Sequence, residues 1–455
     1  MSRIRSATGL VIAILLLILP PTRTLANPVA GGPYWMATAV DVASGLVGAT
    51  ASTASGATTV AASAAMPLAE VEPATVLARV SATRGLEAKG DVALATLSRD
   101  EYEARLRKNL EKEDAQEGIE TSKALWVLLD WIGENDDLGE LWVGAASEQT
   151  AGFYEFSSRS MNLIGRGGAL TPMDEMVLAH EYVHALQDQH FDIGARLKQE
   201  VDEEGEKGLA LRALVEGDAT VAMAFYALEN FSRETLASVQ SASSDAAQSL
   251  ASIPLALRAS MIFPYEQGTS FVVGLFRSGG WPAINGAYDN PPTTSEQIIH
   301  PEKYGAGEGA RPVELPDITA GLGEDWSLLE TDSMGELGWL LYLQNGLNTK
   351  QAGEAGAGWG GDRYALLRSE TGRLALVVLS EWDTEVDADE FFGALYDLQN
   401  ARDDTQLTRD EATSFAWNRS STSGYAGIEG QQVVLVITSD EATTATIVEG
   451  FRDQK

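Results

Sequence analysis

Three of the four histidines in this chain of 455 residues lie in one short stretch, MVLAHEYVHALQDQHFD. Just upstream, Thr171 and Pro172 form a typical helix start, because threonine caps the first amides and proline fits the first helical position. We therefore predict a helix over residues 172–189. On this helix His180 and His184 are four residues apart, so both imidazoles lie on one face and can bind a single ion.

The two histidines belong to the pattern H-E-x-x-H, in which Glu181 follows His180 directly. Glu181 lies about 100° round the helix from His180, close enough to hold a reacting water without binding the ion itself. Such a site requires a third ligand. Residues 208–228, GLALRALVEGDATVAMAFYAL, are otherwise largely apolar, and a carboxylate buried in such a run has to be paired or bound to metal. We therefore predict Glu216 as the third ligand.

The blocks HEYVHALQDQHFD and LVEGDAT together resemble the gluzincin branch of zinc metallopeptidases, and more narrowly a family of secreted bacterial metallopeptidase-like proteins with HExxHALQDQ and EGDA motifs. The likeness continues through GFYEF, PTTSEQIIHPEKY and GWGGDRY, and covers roughly residues 75–400. The resemblance implies an α+β protein with a zincin-like catalytic core that is mostly helical. It also implies one zinc ion (Zn²⁺) held by His180, His184 and Glu216.

The chain departs from thermolysin-type gluzincins at one position. Those enzymes carry an aspartate four residues after the glutamate ligand, whereas Thr220 occupies that position here. Support for the ligand imidazoles must therefore come from another residue. We expect Asp218, or Asp188 one turn beyond His184, to orient one of them.

His190 is an alternative third ligand, because metzincins bind zinc through a histidine downstream of the same motif. Their pattern requires a glycine at the third position after the second histidine, where the chain turns. That position is Gln187 here, on a helix with no sign of a break. Six residues beyond His184 on a continuous helix, His190 would point away from the ion, so we predict a structural or surface role.

The motif predicts peptide hydrolysis without a covalent intermediate, with Glu181 taking a proton from water and passing it to the leaving amine. A further group is needed to stabilise the oxyanion. We predict His300 and Tyr304 in IIHPEKY as catalytic candidates, and Tyr265 in FPYEQG as another; packing or a loop hydrogen bond is the competing interpretation for each. The strand-like GFYEF, at the start of a predicted hairpin over 150–166, is expected to pair with an extended substrate.

The composition limits the possible partners and ligands. The formal charge is −34, which argues against nucleic acid and anionic membrane surfaces as partners. The chain has no cysteine, so disulfides, thiolate ligands and a cysteine nucleophile are excluded. Any metal site must therefore be built from histidine, carboxylate and water.

Four segments follow from the pattern along the chain. Residues 1–26 are predicted to be a secretory signal peptide, because Arg3 and Arg5 precede an apolar run that is too short to span a bilayer comfortably; an uncleaved anchor helix is the alternative. Residues 27–73, rich in Ala, Ser, Thr and Gly, are predicted to be a linker. The zincin-like domain is predicted over 74–355, and a small α+β subdomain over 356–455.

The predicted C-terminal subdomain alternates strand-like runs such as RLALVVLSEW with the helical DADEFFGALYDLQNA. The sequence Gly356–Gly361, GAGWGG, matches G-x-G-x-x-G in form. A dinucleotide site needs a strand before this motif and a helix after it, whereas here the order is reversed. We interpret the glycines as a turn.

These observations favour a secreted zinc peptidase that acts on a peptide or protein substrate. The alternative is an envelope-associated binding or assembly protein with a structural or degenerate metal site. Glu181 favours the enzyme, since a purely structural site has no use for a base that does not bind the ion.

Overall fold

The computed structural model describes residues 71–453 except 166–169, 204, 240–252, 317 and 319–320. The predicted signal peptide and nearly all of the predicted linker therefore lie outside the described residues. The protein has a mixed α+β architecture, in which a largely helical part precedes a C-terminal β-sheet. No helix in the part of the chain that the structure describes has both the length and the hydrophobicity needed to cross a membrane.

Among the described residues, ten helices with assigned bounds form the helical part. They are α1 (Pro73–Arg84), α2 (Arg99–Leu110), α3 (Glu113–Leu128), α4 (Leu138–Gln149), α5 (Pro172–Phe191), α6 (Ile193–Glu203), α7 (Gly205–Asn230), α8 (Leu255–Asp289), α9 (Ser295–Ile299) and α10 (Pro301–Ala306). Capping boxes begin two of them, with Ser98 and Glu101 at α2 and Thr171 and Asp174 at α5, and Thr171 is the predicted cap of α5. The long helix α8 is interrupted at residues 279–280, where two glycines leave helical geometry.

A small three-stranded sheet lies beside α5. Its strands are β1 (Ala93–Leu97), β2 (Gly152–Glu155) and β3 (Ser160–Ile164), in the order β1-β3-β2. β2 and β3 pair antiparallel, which confirms the predicted hairpin, and β1 pairs with β3 in parallel. β2 is therefore an edge strand with one side not paired within this sheet.

The helices α7 and α8 cross at two glycines. A Cβ atom at Gly217 would collide with the backbone of Gly268, and one at Gly268 would collide with the backbone of Ala213. Only glycine permits this close approach of two backbones. Since Gly217 follows Glu216 directly, the crossing also fixes the position of that carboxylate.

The C-terminal part is one antiparallel sheet of seven strands. They are β4 (Trp326–Asp332), β5 (Trp359–Ser369), β6 (Leu374–Trp382), β7 (Gln406–Glu411), β8 (Ser414–Asn418), β9 (Ser423–Glu429) and β10 (Gln432–Thr438), in the order β4-β5-β6-β10-β9-β8-β7. Four helices accompany it: α11 (Gly335–Leu343), α12 (Thr349–Gly356), α13 (Glu385–Asn400) and α14 (Glu441–Asp453).

Alternate residues of the sheet face two different cores, as the two-residue period of a strand requires. On β6, Leu376 and Val378 pack in the same cluster as Phe391 of α13, whereas Ala375 and Val377 pack with Ile447 of α14. The sheet is thus covered on both faces.

One large core joins the two parts of the chain. Trp142 of α4 belongs to the same buried cluster as Trp339 of α11 and Trp359 of β5. Strand β4 pairs with β5, so the sheet begins at Trp326, ahead of the division predicted after residue 355. The glycine-rich segment lies between α12 and β5, where Gly358 has a positive φ of 85°, in keeping with a turn.

Candidate metal centre

Helix α5 carries the two histidines into the interior. His180 is 1% exposed and His184 is fully buried, and their Nε2 atoms are 3.0 Å apart. Glu216 comes from α7, which packs against α5, and it is also fully buried. Its Oε2 atom lies 3.2 Å from Nε2 of His180 and 3.4 Å from Nε2 of His184. The three predicted ligands therefore converge on one point.

The size of this triangle matches a tetrahedral zinc site. Zinc–nitrogen bonds of about 2.0–2.1 Å place ligand atoms of a tetrahedron about 3.3–3.4 Å apart. The three distances, from 3.0 to 3.4 Å, are close to that value. Two histidines and one carboxylate are also a ligand set that zinc prefers. The residues therefore fit a zinc ion.

The ring of His184 is held by Gln187. Nδ1 of His184 lies 2.8 Å from Oε1 of Gln187, which assigns the Nδ1 proton to that bond and leaves Nε2 as the nitrogen that faces the other ligands. Gln187 in turn donates to the carbonyl of Val215 at 3.0 Å and to Oδ2 of Asp218 at 2.9 Å. The ligand-bearing helices α5 and α7 are thus joined by one side chain.

Asp218 supports the centre through Gln187 and has no described hydrogen bond to either imidazole. It forms a fully buried ion pair with Arg84 at 2.6 Å and accepts the hydroxyl of Tyr288 at 2.8 Å. Asp188 lies elsewhere, accepting from the amide of Gly194 at 3.0 Å. The supporting role of Gln187 was not predicted from the sequence, where this residue is notable only as a departure from the metzincin pattern. The available signal was a polar residue three positions after His184, on the same face of an apolar helix.

Glu181 lies beside the three ligands, fully buried, and is held by the small sheet. Its Oε2 accepts the backbone amide of Tyr154 on β2 at 2.8 Å, while Oε1 has no hydrogen-bond partner among the described residues. Burial raises the pKa of Glu181 to about 7, although the nearby His184 opposes this rise. Glu181 is therefore a base whose affinity for protons suits neutral pH.

The three ligands differ in their affinity for protons. Burial lowers the pKa of His180. Burial also disfavours a charge on His184, but the Glu216 carboxylate outweighs it and raises the pKa of His184 to about 9. For Glu216 the contacts with the two histidines outweigh burial and lower the pKa to about 2. Glu216 is thus a carboxylate at every ordinary pH, and a metal ion has to compete with a proton for His184.

The three candidates for oxyanion stabilisation lie in different surroundings. The ring of Tyr265 stacks on that of His180, with 6.2 Å between centroids and 28° between planes. His300 bonds through Nε2 to Glu336 at 2.9 Å, and the hydroxyl of Tyr304 donates to the carbonyl of Asn290 at 2.8 Å. Within the described residues, no hydrogen bond or ring contact joins His300 or Tyr304 to the three ligands.

The rival ligand His190 is placed outside the centre. Helix α5 continues without a break to Phe191, and Nε2 of His190 lies 2.8 Å from the carbonyl oxygen of Glu87. The third ligand atom near His180 and His184 is that of Glu216.

A second group of acids, Glu296, Glu308 and Asp383, also places three ligand-type atoms within 4.8 Å of one another. Here the ammonium of Lys303 contacts all three, at 2.5, 3.0 and 2.6 Å. Although burial opposes its charge, the three carboxylates raise the pKa of Lys303. This group is therefore an ion-pair network that already contains its cation.

Comparison with known proteins bears on the C-terminal part only. Residues 327–450 match a family model described as a domain of unknown function (DUF8575). Searches of curated proteins and of solved structures found no match to the chain. The matched segment begins with β4 and ends in α14, so it corresponds to the seven-stranded sheet and its helices. The three ligands and Glu181 lie outside it.

Proposed function

We propose that this chain is a secreted zinc-dependent peptidase with a zincin-like core. The observation that carries the proposal is the convergence of three buried ligand atoms within 3.4 Å of one another, beside a buried carboxylate that does not belong to the set. The buried carboxylate of Glu216 requires a compensating cation, which a proton on His184 provides without a metal and a zinc ion would provide in its place. A structural site would not need Glu181 next to it.

The roles of the individual residues follow from their contacts. His180, His184 and Glu216 would hold the ion, which when bound supplies a Lewis acid that polarises a carbonyl and makes water a better nucleophile. Glu181 would accept the proton of the attacking water at Oε1 and return it to the leaving amine. The bond from the Tyr154 amide keeps Oε2 in place, so the carboxylate cannot rotate freely away from the ligands. No covalent bond to the protein is required.

Substrate binding is proposed at the edge of the small sheet. β2 is an outer strand, and the amide of Tyr154 on this strand contacts Glu181 directly. An extended peptide that adds to this edge would pass beside the base and the three ligands. The edge strand and the ligand helix would thus align the scissile bond.

Tyr265 is the residue whose contacts best support an oxyanion-stabilising role. It is buried, at 5% exposure, and its ring lies against that of His180. Its hydroxyl is a donor of the kind that stabilises a developing oxyanion. His300 and Tyr304 stay predictions, because their described contacts are with other residues.

The proposal that the protein is exported is based on its amino-terminal sequence. The positive residues and the short apolar run within 1–26 support a signal peptide, and we propose an extracytoplasmic location on that basis. The formal charge of −34 favours a peptide or protein substrate over nucleic acid.

The test is hydrolysis of an unbiased peptide library by the full chain, with the zinc content measured on the same preparation. We expect about one zinc per chain, cleavage that a chelator abolishes, and recovery of cleavage when zinc is returned. Bound zinc without cleavage of any peptide would favour the alternative, a binding or assembly protein. A chain that binds no transition metal after reconstitution would contradict the peptidase.

A further inference from the structure

A cavity of about 140 Å³ lies between the helical part and the C-terminal sheet. Its wall is mainly apolar and includes Trp126, Trp131, Trp142, Met261, Leu257 and Leu337. These residues come from the helical segments near α3 and α4, from α8 and from α11. The last of these helices lies in the segment matched by the family model, so both parts of the chain build the cavity.

The volume corresponds to a small ring or a branched aliphatic group. An engineered apolar cavity of about 150 Å³ in another protein binds benzene. A cavity of 140 Å³ is therefore large enough for the side chain of phenylalanine or leucine. Several of its lining residues, such as Trp131 and Ser260, are only partly buried.

Three residues on the wall carry a buried polar atom that has no hydrogen-bond partner within the described part of the chain. They are Ser122 through Oγ, and Trp131 and Trp142 through Nε1. Ser122 is 3% exposed and Trp142 is 2% exposed. Buried polar groups are nearly always hydrogen-bonded, so each of these three has room for an acceptor that water or a ligand would supply.

The two carboxylates on the wall already accept hydrogen bonds from the protein. Glu206 accepts from the amide and the hydroxyl of Ser295, at 2.7 and 2.8 Å. Asp332 accepts from the amides of Gly205 and Ser333. The polar atoms of the wall that have no described partner are therefore mainly hydrogen-bond donors, which suit a carbonyl oxygen.

The cavity adjoins the metal centre through two residues. Tyr265 lines the cavity and also stacks on His180. Arg212 lines the cavity and lies on α7 four residues before Glu216, one helical turn away. If the side chain of a bound peptide occupied the cavity, the backbone of that peptide would lie close to the three ligands.

We propose that this cavity is a specificity pocket that takes a phenylalanine- or leucine-sized side chain of the peptide substrate. The indole N–H groups of Trp131 and Trp142 and the hydroxyl of Ser122 would donate to a carbonyl of the same peptide. The role as a specificity pocket rests on the proposed peptidase function. Binding of the side chain itself does not depend on it.

Calorimetric titration of the full chain with N-acetylphenylalanine amide and N-acetylglycine amide tests the binding. Burial of the phenyl ring should make the first ligand bind about 10- to 100-fold more tightly than the second. Ser260→Phe would fill the cavity and weaken binding of the phenylalanine ligand by at least about 10-fold. Equal affinity of the parent chain for the two ligands would overturn the proposal.

Ser278→Phe is the matched control, because Ser278 is exposed on the same helix and its hydroxyl also donates to a carbonyl within that helix. This variant should bind the phenylalanine ligand as the parent does. If Ser260→Phe and Ser278→Phe both bind like the parent, the ligand does not occupy this cavity. Circular dichroism of the variants checks that each of them folds.

The peptide library separates the two proposals. Tight binding of the phenylalanine ligand without hydrolysis of any peptide would support the proposed pocket and contradict the proposed peptidase function. Hydrolysis with no preference for a large apolar residue next to the cleaved bond would support the proposed peptidase function and contradict the proposed pocket. If both hold, Ser260→Phe should shift cleavage toward small residues at that position, while Ser278→Phe should not.

Discussion

Two groups of three potential metal ligands lie in the part of the chain that the structure describes, and they differ in what compensates their charge. In one group, Lys303 contacts the carboxylates of Glu296, Glu308 and Asp383. In the other, the ligand atoms of His180, His184 and Glu216 lie within 3.4 Å of one another. The first group has its cation built in, whereas the second has the ligand types and spacing of a zinc site.

The difference shows that proximity of acids is a weak criterion for a metal site. The Lys303 network has Glu308 exposed and Asp383 partly exposed, so solvent and lysine together satisfy its charge. The triad is buried, and the imidazole of His184 is oriented by Gln187, which is itself held by a hydrogen bond to Asp218. An oriented imidazole is what a metal site requires beyond the ligands themselves.

The largest effect is expected from Glu181→Gln, which keeps the shape of the side chain and removes the base. We expect the rate of peptide hydrolysis to fall at least about 100-fold, while zinc content stays that of the parent. Glu175→Gln is the control, since Glu175 is a buried glutamate on the same helix that accepts the hydroxyl of Tyr226 and lies away from the ligands. Parental hydrolysis by Glu181→Gln would remove Glu181 from the mechanism.

Lys303→Met tests the group of three acids by removing the lysine that compensates their charge. Three carboxylates would then face one another, and we expect a loss of about 2–3 kcal/mol in the free energy of unfolding, less than for a fully buried pair because the network is partly exposed. Calcium should restore part of this loss, since carboxylates are its preferred ligands. Urea denaturation with and without calcium measures both.

The control is Lys350→Met, at an exposed lysine whose described ion pair is with Glu354, one turn along its helix. An exposed pair of this kind contributes about 0.3–0.5 kcal/mol, so this variant should unfold almost as the parent does. If the two lysine variants lose the same stability, Lys303 has no special role in the network.

Gln187→Leu tests whether the orientation of His184 matters. The substitution removes the acceptor for Nδ1 of His184, and loss of such a partner typically lowers metal affinity about 10- to 100-fold. Gln189→Leu, two residues further on the same helix, removes an acceptor for the amide of Lys89 and should not change zinc affinity. Competition with a zinc-binding dye measures both variants. An unchanged affinity in Gln187→Leu would mean that the ring is held by other contacts.

A pH-dependent effect is expected from Glu206, a buried acid between the two parts of the chain. Burial raises the pKa of Glu206 to about 8, above its ordinary value of 4.5. The folded protein therefore holds a proton that the unfolded chain releases between these values, and stability falls as the pH rises from about 5 to 8. Glu206→Gln should flatten this slope by up to about 1.4 kcal/mol per pH unit. Equal slopes in urea denaturation of parent and variant would contradict this.

The local part of the metal centre could be predicted from the sequence. The cap at Thr171 and the spacing of His180 and His184 are properties of one helix, and the structure confirms that helix. Glu216 was predicted because an acid in an apolar run needs a partner, and the structure brings it to both imidazoles. The roles of these residues could be predicted because they depend on the sequence of one helix and on the cost of burying a charge.

Features that depend on distant segments were missed. The cavity joins Trp126 and Leu337, which no local pattern relates to each other. Strand β4 is exposed at several positions and lacks clear alternation, so it is defined by its pairing with β5. The catalytic role of His300, predicted from its residue type, stays a prediction, and its described hydrogen bond is with Glu336. Spatial neighbours decide such roles.

The most direct test of the metal centre is zinc binding by three full-length proteins, the parent, Glu216→Ala and Glu308→Ala, measured by metal analysis and dye competition. We expect about one zinc per chain in the parent and in Glu308→Ala. Glu216→Ala should bind zinc more than about 100-fold more weakly, because loss of a ligand should exceed the effect of losing a residue that only orients one. Zinc held by Glu216→Ala as tightly as by the parent would contradict the assignment of the triad.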